Sequence, residues 1–187
     1  MRFVPTELPE VVRVEPQVHR DARGFFVESW RHDRWSAGGI PGPFVQDNHS
    51  CSSRGTLRGL HAQCRKPQGK LVRVVRGEIW DVAVDVRRGS PSFGRHVAET
   101  LSADNFVQLW IPPGFAHGFL VLSEEAEFVY KCTDYYDPSD ELRIAWNDPT
   151  LAIPWPTKEP LLSEPDQRAP RLAELEGRLP RYSRPGV

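Results

Sequence analysis

Lys70-Leu-Val-Arg-Val-Val75, then Arg76-Gly77, then Glu78-Ile-Trp-Asp-Val-Ala-Val-Asp-Val86 is the stretch that decides the fold. Both runs are rich in β-branched residues and the second alternates, so each reads as a strand. The glycine between them predicts a tight hairpin. In the second run Trp80, Val82, Val84 and Val86 share one face, while Ile79, Asp81, Ala83 and Asp85 share the other. A face carrying two carboxylates meets water or lines a polar cavity.

Working outward, further short strands are predicted over 44–50, 96–101, 107–111, 118–122 and 128–134. Gly89-Ser-Pro91, Pro112-Pro-Gly114 and Asp137-Pro138 interrupt or end them. Short strands at near-regular spacing imply an all-β chain, a sandwich or jelly-roll barrel whose mouth can hold a small ligand. The 18 prolines are about twice the usual ~5% and favour strands joined by loops. Helix is scarce: one short helix is expected within 26–37, and another over 171–179, stopped by Pro180. The chain reads as a single domain over 1–187, with a core at about 20–150 and a C-terminal extension from about 150 that wraps around the barrel.

A formal net charge of -1 gives no electrostatic case for nucleic-acid binding, so an anionic ligand would need local arginines and lysines. No stretch approaches the ~20 apolar residues of a membrane span, and no leader pattern opens the chain. Cys51, Cys64 and Cys132 show no paired metal-ligand spacing. These features predict a cytoplasmic protein with reduced thiols and no membrane partner.

Chemistry concentrates just before the strand pair. Leu57-Arg-Gly-Leu-His61 and Gln68-Gly-Lys70 set a histidine between two cations. An imidazole accepts a proton near neutral pH, and Arg58 or Lys70 can hold an anionic oxygen. Base plus electrophile is the minimum for removing a proton beside a carbonyl, because the enolate must be stabilised as it forms. Asp81, Asp85 and Asp166 are candidates to orient the histidine. His117, in a turn before a strand, is either a ligand or a structural residue. Tyr130 and Tyr136 lie on one face if their strand runs that far, filling the barrel or offering a phenol as acid and a ring for stacking. His61 is followed by Ala62-Gln63 rather than by a second histidine, which argues against the H-x-H metal pattern of cupin barrels.

The motifs Asp21-Ala-Arg-Gly-Phe-Phe-Val-Glu28, Val45-Gln-Asp-Asn-His-Ser50, Leu57-Arg-Gly-Leu-His61, Gln68-Gly-Lys-Leu-Val-Arg73, Pro113-Gly-Phe-Ala-His-Gly-Phe119 and Tyr130-Lys-Cys-Thr-Asp-Tyr-Tyr-Asp-Pro138 occur in an order that resembles the dTDP-4-dehydrorhamnose 3,5-epimerase family over most of residues 20–150. The resemblance implies a cupin-like jelly-roll barrel, a homodimer with the active site near the subunit interface, no cofactor and no metal. It implies a dTDP-4-keto-6-deoxy sugar as substrate, inverted at C3 and C5 on the route to dTDP-L-rhamnose. His61 would then be the base, Asp166 its partner with Asp81 in reserve, Tyr130 the acid on the opposite face, and Lys70 the enolate's counter-ion. Tyr136 would stack on thymine. Arg23, Glu28, Gln46, Asp47, Asn48, Arg58, His117 and Glu141 match substrate contacts, some of them supplied across the dimer.

The chain departs from the family's pattern at Ala62, where an aromatic residue is usual, and at Pro165. Ala62, directly after the base, would loosen the pocket or shift the balance between the two inversions. The alternatives are a mono-epimerase of another deoxysugar, a metal-dependent cupin enzyme, and a non-catalytic sugar-nucleotide binder.

Overall fold

The computed structural model describes residues 1–183; the last four positions of the expected extension lie outside it. Thirteen strands build the architecture: β1 (Arg2–Pro5), β2 (Val12–Glu15), β3 (Val18–Asp21), β4 (Gly24–Val27), β5 (Gln46–Ser53), β6 (Leu57–Gln63), β7 (Lys70–Arg76), β8 (Glu78–Asp85), β9 (His96–Ser102), β10 (Gln108–Ile111), β11 (Phe115–Val121), β12 (Glu125–Cys132) and β13 (Glu141–Arg143). They form a six-stranded sheet in the order β1-β2-β10-β7-β12-β5, a five-stranded sheet in the order β13-β6-β11-β8-β9, and a separate β3–β4 hairpin. The all-β expectation holds, and the fold is the cupin-type jelly roll shared with the solved structures described below.

The predicted β7–β8 hairpin does not form. β7 pairs with β10 and β12, whereas β8 pairs with β11 and β9 in the other sheet. Only Gly77 separates the two strands, too little chain for a two-residue hairpin turn. Gly77 instead turns the corner between sheets at φ +75°, and a Cβ there would lie 2.1 Å from the Glu125 carbonyl oxygen. Most later connections likewise switch sheets, so strands close in sequence supply facing walls.

Alternation along β8 explains how both its faces are buried. Ile79 and Ala83 point into the core between the sheets, with Val72, Val74, Leu109, Phe119 and Phe128. Trp80, Val82, Val84 and Val86 point outward, where Leu151, Trp155, Leu172, Leu175 and Leu179 of the extension cover them. Asp81 and Asp85 are fully buried on the inner face, so neither meets water. A third cluster, with Trp35, Ile40, Leu71 and Trp110, caps the β2–β10–β7 side of the six-stranded sheet.

Helical content is smaller than expected. Residues 26–37 divide into the end of β4 and a short α1 (His32–Ala37), because Phe25 and Phe26 pair across the β3–β4 hairpin. The expected helix over 171–179 is a 3₁₀ helix (Leu172–Arg178), preceded by α2 (Glu164–Gln167). The strands β1, β2, β3, β6 and β13 were not foreseen, and β4 enters the span where a helix was expected.

One close approach fixes the wall that will carry the site. Gly59 of β6 has φ +131°, and a Cβ there would lie 2.5 Å from the Cα of Gly118 in β11. The β6–β11 register shifts at this point and brings His61 opposite His117. Gly59→Ala is expected to destabilise by roughly 2–4 kcal/mol in urea unfolding, through strain and overpacking together. Gly177→Ala, with open space around it, should stay within about 0.5 kcal/mol of the parent.

Candidate functional site

A cavity of about 320 Å³ opens between the two sheets, lined by Gln46, Asn48, Lys70 and Tyr130 of the six-stranded sheet, His61, Ala62, Gln63 and Glu141 of the five-stranded sheet, and Gln68 and Tyr136. Its two walls therefore carry different chemistry. His61 stands on one, and Lys70 and Tyr130 stand on the other.

Behind His61 lies Asp166 of α2. The His61 Nε2–H donates to Asp166 Oδ1 at 2.7 Å, leaving Nδ1 as the free acceptor. Asp166 is only 4% exposed. Burial pushes its carboxyl pKa up, but the hydrogen bonds from His61, Ser163 and Arg143 prevail and hold it below the ordinary value. Ser163 caps α2 by accepting the Asp166 backbone N–H, which fixes where the carboxylate sits. An imidazole oriented by a buried carboxylate is arranged to accept a proton.

On the facing wall, removal from water pushes the Lys70 ammonium below its usual pKa, although Asp81 and Glu141 favour its charge. Burial raises the Tyr130 phenol, so it keeps its proton at neutral pH, while Arg58 acts in the opposite sense. This wall offers a cation and a protonated phenol.

The remaining nominated residues divide. Gln46 bonds Asn48 and accepts the Tyr136 backbone N–H at 2.8 Å. That contact, rather than a continuing strand, brings Tyr136 to the cavity, because β12 ends at Cys132. Arg58 is exposed, its Nε donating to Ser52 Oγ at 3.1 Å. Asp47 points to the outer surface and pairs with Lys131 at 3.0 Å. His117 is buried off the cavity and bonds Asp81 at 2.9 Å, so Asp81 orients this histidine rather than His61. Burial pushes the His117 pKa down despite Asp81. Asp85 holds Arg87, Ser90 and Ser92 and is remote from either imidazole. Arg23 sits exposed on the β3–β4 hairpin against Asp21, and Glu28 pairs with Arg31 and Arg34. Neither lines the cavity of its own chain.

The sequence reading passed over Gln63, Gln68 and Arg143. Gln63 is two positions from His61 on one strand face, which could have revealed it. Gln63 and Gln68 donate to the Tyr135 and Asp134 carbonyls and so tether the loop that carries Tyr136. Ala62, between His61 and Gln63, also lines the cavity, and it packs with Leu142 in the cluster beneath the extension. Among the described residues no group of three or more His, Cys, Asp or Glu side chains is assembled to hold a metal.

The family model for dTDP-4-dehydrorhamnose 3,5-epimerase matches residues 5–174. The chain belongs to the dTDP-4-dehydrorhamnose 3,5-epimerase family. It is 55% identical to the family's enzyme from Pseudomonas aeruginosa over 178 residues, covering 94% of this chain and 98% of that one. The epimerase of Legionella pneumophila, solved in complex with dTDP-4-keto-L-rhamnose, superposes with a TM-score of 0.95 at 50% identity, over 98% of this chain and 99% of that one. A 3'-monoepimerase from Streptomyces bikiniensis, solved with dTDP-quinovose, is more distant at 39% identity and a TM-score of 0.90, over 95% of this chain and 92% of that one. Membership of the epimerase family makes the chain an isomerase of dTDP-sugars, and the cavity with its two unlike walls brings His61, Lys70, Tyr130 and Tyr136 together.

The low pKa of Asp166 has a measurable consequence. A carboxylate whose folded pKa is depressed stabilises the fold fully above its unfolded pKa, and that contribution is lost as pH falls through the folded value. Asp166→Asn should lower unfolding free energy by roughly 1–2 kcal/mol at about pH 7, and the difference should fade towards about pH 2. Urea titrations of both proteins at the two pH values check this.

Proposed function

We propose that this cavity is where C3 and C5 of dTDP-4-dehydro-6-deoxy-D-glucose are inverted to give dTDP-4-dehydro-L-rhamnose. The observation that carries the reading is the separation of base and acid onto opposite walls, His61 with Asp166 on one and Tyr130 on the other. The ketone between them loses a proton to one wall, and the planar enolate so formed regains one from the other, which is what inversion requires. His61 Nδ1 takes the proton from C3, and the C–H electron pair moves into the C4 carbonyl. Lys70 holds the resulting enolate oxygen; one such donor in a dry site supplies about 3 kcal/mol. Tyr130 then protonates the carbon from the far side, and the same cycle acts at C5. Proton exchange with solvent resets both residues.

The cavity is at the small end of ligand sites, which span about 300–1,000 Å³, and so suits the sugar ring. The diphosphate and nucleoside would extend outward past Arg58, with thymine against Tyr136, whose side chain is exposed at the rim. The assignments of Gln46, Asn48 and Glu141 to the sugar rest on their place in the lining. His117, buried in the core beside Phe128, would act at one remove from the substrate.

The substrate carbons test this directly. In deuterated water the parent protein should place label at both C3 and C5, as a double epimerase must. Tyr130→Phe is expected to lose product formation by about 10²–10⁴-fold while retaining some exchange, and His61→Asn to lose both. Label confined to one carbon would instead favour the monoepimerase reading, which the Streptomyces bikiniensis likeness keeps in view.

We further infer a homodimer. The extension covers the outer face of the five-stranded sheet, whereas the β7–β12–β5 part of the other sheet presents Val75, Val45 and a half-buried Arg73. Burial pushes the Arg73 pKa down with no acidic neighbour offsetting it, a site suited to a partner's carboxylate or carbonyl. The β3–β4 hairpin, with Phe25 59% and Phe26 71% exposed, would reach across and lend Arg23 and Glu28 to the partner's cavity. We read the chain as one domain working in the cytoplasm, a compartment that suits its three free cysteines. Light scattering should give a mass near twice 21.3 kDa for the parent. Arg73→Glu should shift it towards the monomer and weaken substrate binding.

A further inference from the structure

Arg143 belongs to no motif picked out in the sequence, yet it touches the centre of the proposed machinery. It stands on β13 directly opposite His61 in the β13–β6 ladder. Its Nη1 donates to Asp166 Oδ1 at 2.7 Å, the same oxygen that accepts from His61 at the same distance. The same nitrogen lies 3.3 Å from His61 Nε2. A guanidinium carries only donors, and Nε2–H is committed to Asp166, so this last contact sets a cation beside the imidazole rather than forming a hydrogen bond. Nη2 donates to Glu141 at 2.5 Å, which clamps the guanidinium between two carboxylates.

We propose that Arg143 is a positioning residue for the His61–Asp166 dyad, holding the Asp166 carboxylate against the imidazole and offsetting its charge so that His61 is kept neutral and ready to accept a proton. The proposal rests on the assignment of His61 as the base. An unshared buried carboxylate favours the imidazolium, which cannot act as a base. Sharing one carboxylate oxygen between a histidine and a fixed cation weakens that pull while leaving the orienting hydrogen bond in place. Burial opposes the charge on Arg143, but Asp166 and Glu141 prevail and raise its pKa, so the cation is permanent. The other charged or titratable groups around His61 are Glu141 beside Arg143 on β13, Lys70 and Tyr130 on the facing wall, Tyr136 at the rim, and His117 on β11. Of these, none but Arg143 bonds the oxygen that orients the base.

The test compares pH profiles of kcat/KM for the parent, Arg143→Met and Arg143→Lys, using dTDP-4-dehydro-6-deoxy-D-glucose. Losing the cation favours protonation of the imidazole, so the acid limb for Arg143→Met should move up by about one pH unit. Below that limb kcat/KM should fall by about tenfold, with kcat carrying more of the loss than KM. Arg143→Lys, which restores a charge though not the fork, should bring the limb back towards the parent. A limb that does not move in Arg143→Met overturns the proposal, whether activity is unchanged, falls equally at every pH, or falls together with the melting temperature. His61→Asn separates the two assignments. If it turns over like the parent, the base assignment itself fails. If it is inactive while the Arg143→Met limb stays in place, only the role of Arg143 fails.

Discussion

The structure depends on one constraint: β8 and its neighbours bury apolar side chains on both faces, so the five-stranded sheet must be covered twice. The inner cover is the six-stranded sheet, and the space left between the two sheets is the cavity. The outer cover is the C-terminal segment, whose Leu151, Trp155, Leu172 and Leu175 pack on Val82, Val84 and Leu120. Each leucine so buried contributes about 2 kcal/mol. In crossing that face the segment passes behind β6 and delivers Asp166 to His61. Coverage demanded by hydrophobic burial thus also assembles the dyad. The carboxylate is a product of the same packing that stabilises the sheet.

This dependence explains the division of labour between the walls. The five-stranded wall has support behind it, and there the imidazole is held by a network running through Asp166, Arg143 and Glu141. The six-stranded wall contributes Lys70 and Tyr130, whose properties are set by burial rather than by ion pairs. A second buried pair, His117 with Asp81, lies off the cavity, stacked on Phe128 in the core. The two histidines are thus opposite one another in the ladder but differ in environment.

Much of the fold was legible in the sequence, because alternation and proline breakers speak about local chain. The β8 faces were assigned correctly, and five other predicted strands fall within a few residues of β5, β9, β10, β11 and β12. Pairing was not legible. Whether Gly77 closes a hairpin or turns a corner depends on what β12 places against it, many residues away. The strands β1 to β3 and β13 were missed because they are three or four residues long and carry charges, and β6 because Gly59 interrupts it. His61 and Lys70 stood out as a histidine and a cation clustered with Arg58 just before the predicted strand pair. Asp166 was one of three carboxylates nominated to orient the histidine, and only the family likeness set it ahead of Asp81, since nothing in a proline-rich tail announces a carboxylate that folds back over 105 positions. Arg143 gave no signal, because an arginine two residues from a glutamate on a strand looks like ordinary surface.

The corners between sheets also set a dimension. His61 and Lys70 are separated by one short loop, yet they stand on opposite walls because that loop carries the chain from one sheet to the other. The Arg65 and Lys66 backbone N–H groups in this loop are anchored to the buried Asp140 carboxylate at 2.9 Å. The loop therefore acts as a spacer of fixed length, gauging the gap in which a sugar ring must lie between imidazole and ammonium. Lengthening it would widen the slot without altering a single reactive group, so ring size and substituent bulk are read by backbone length as much as by side chains.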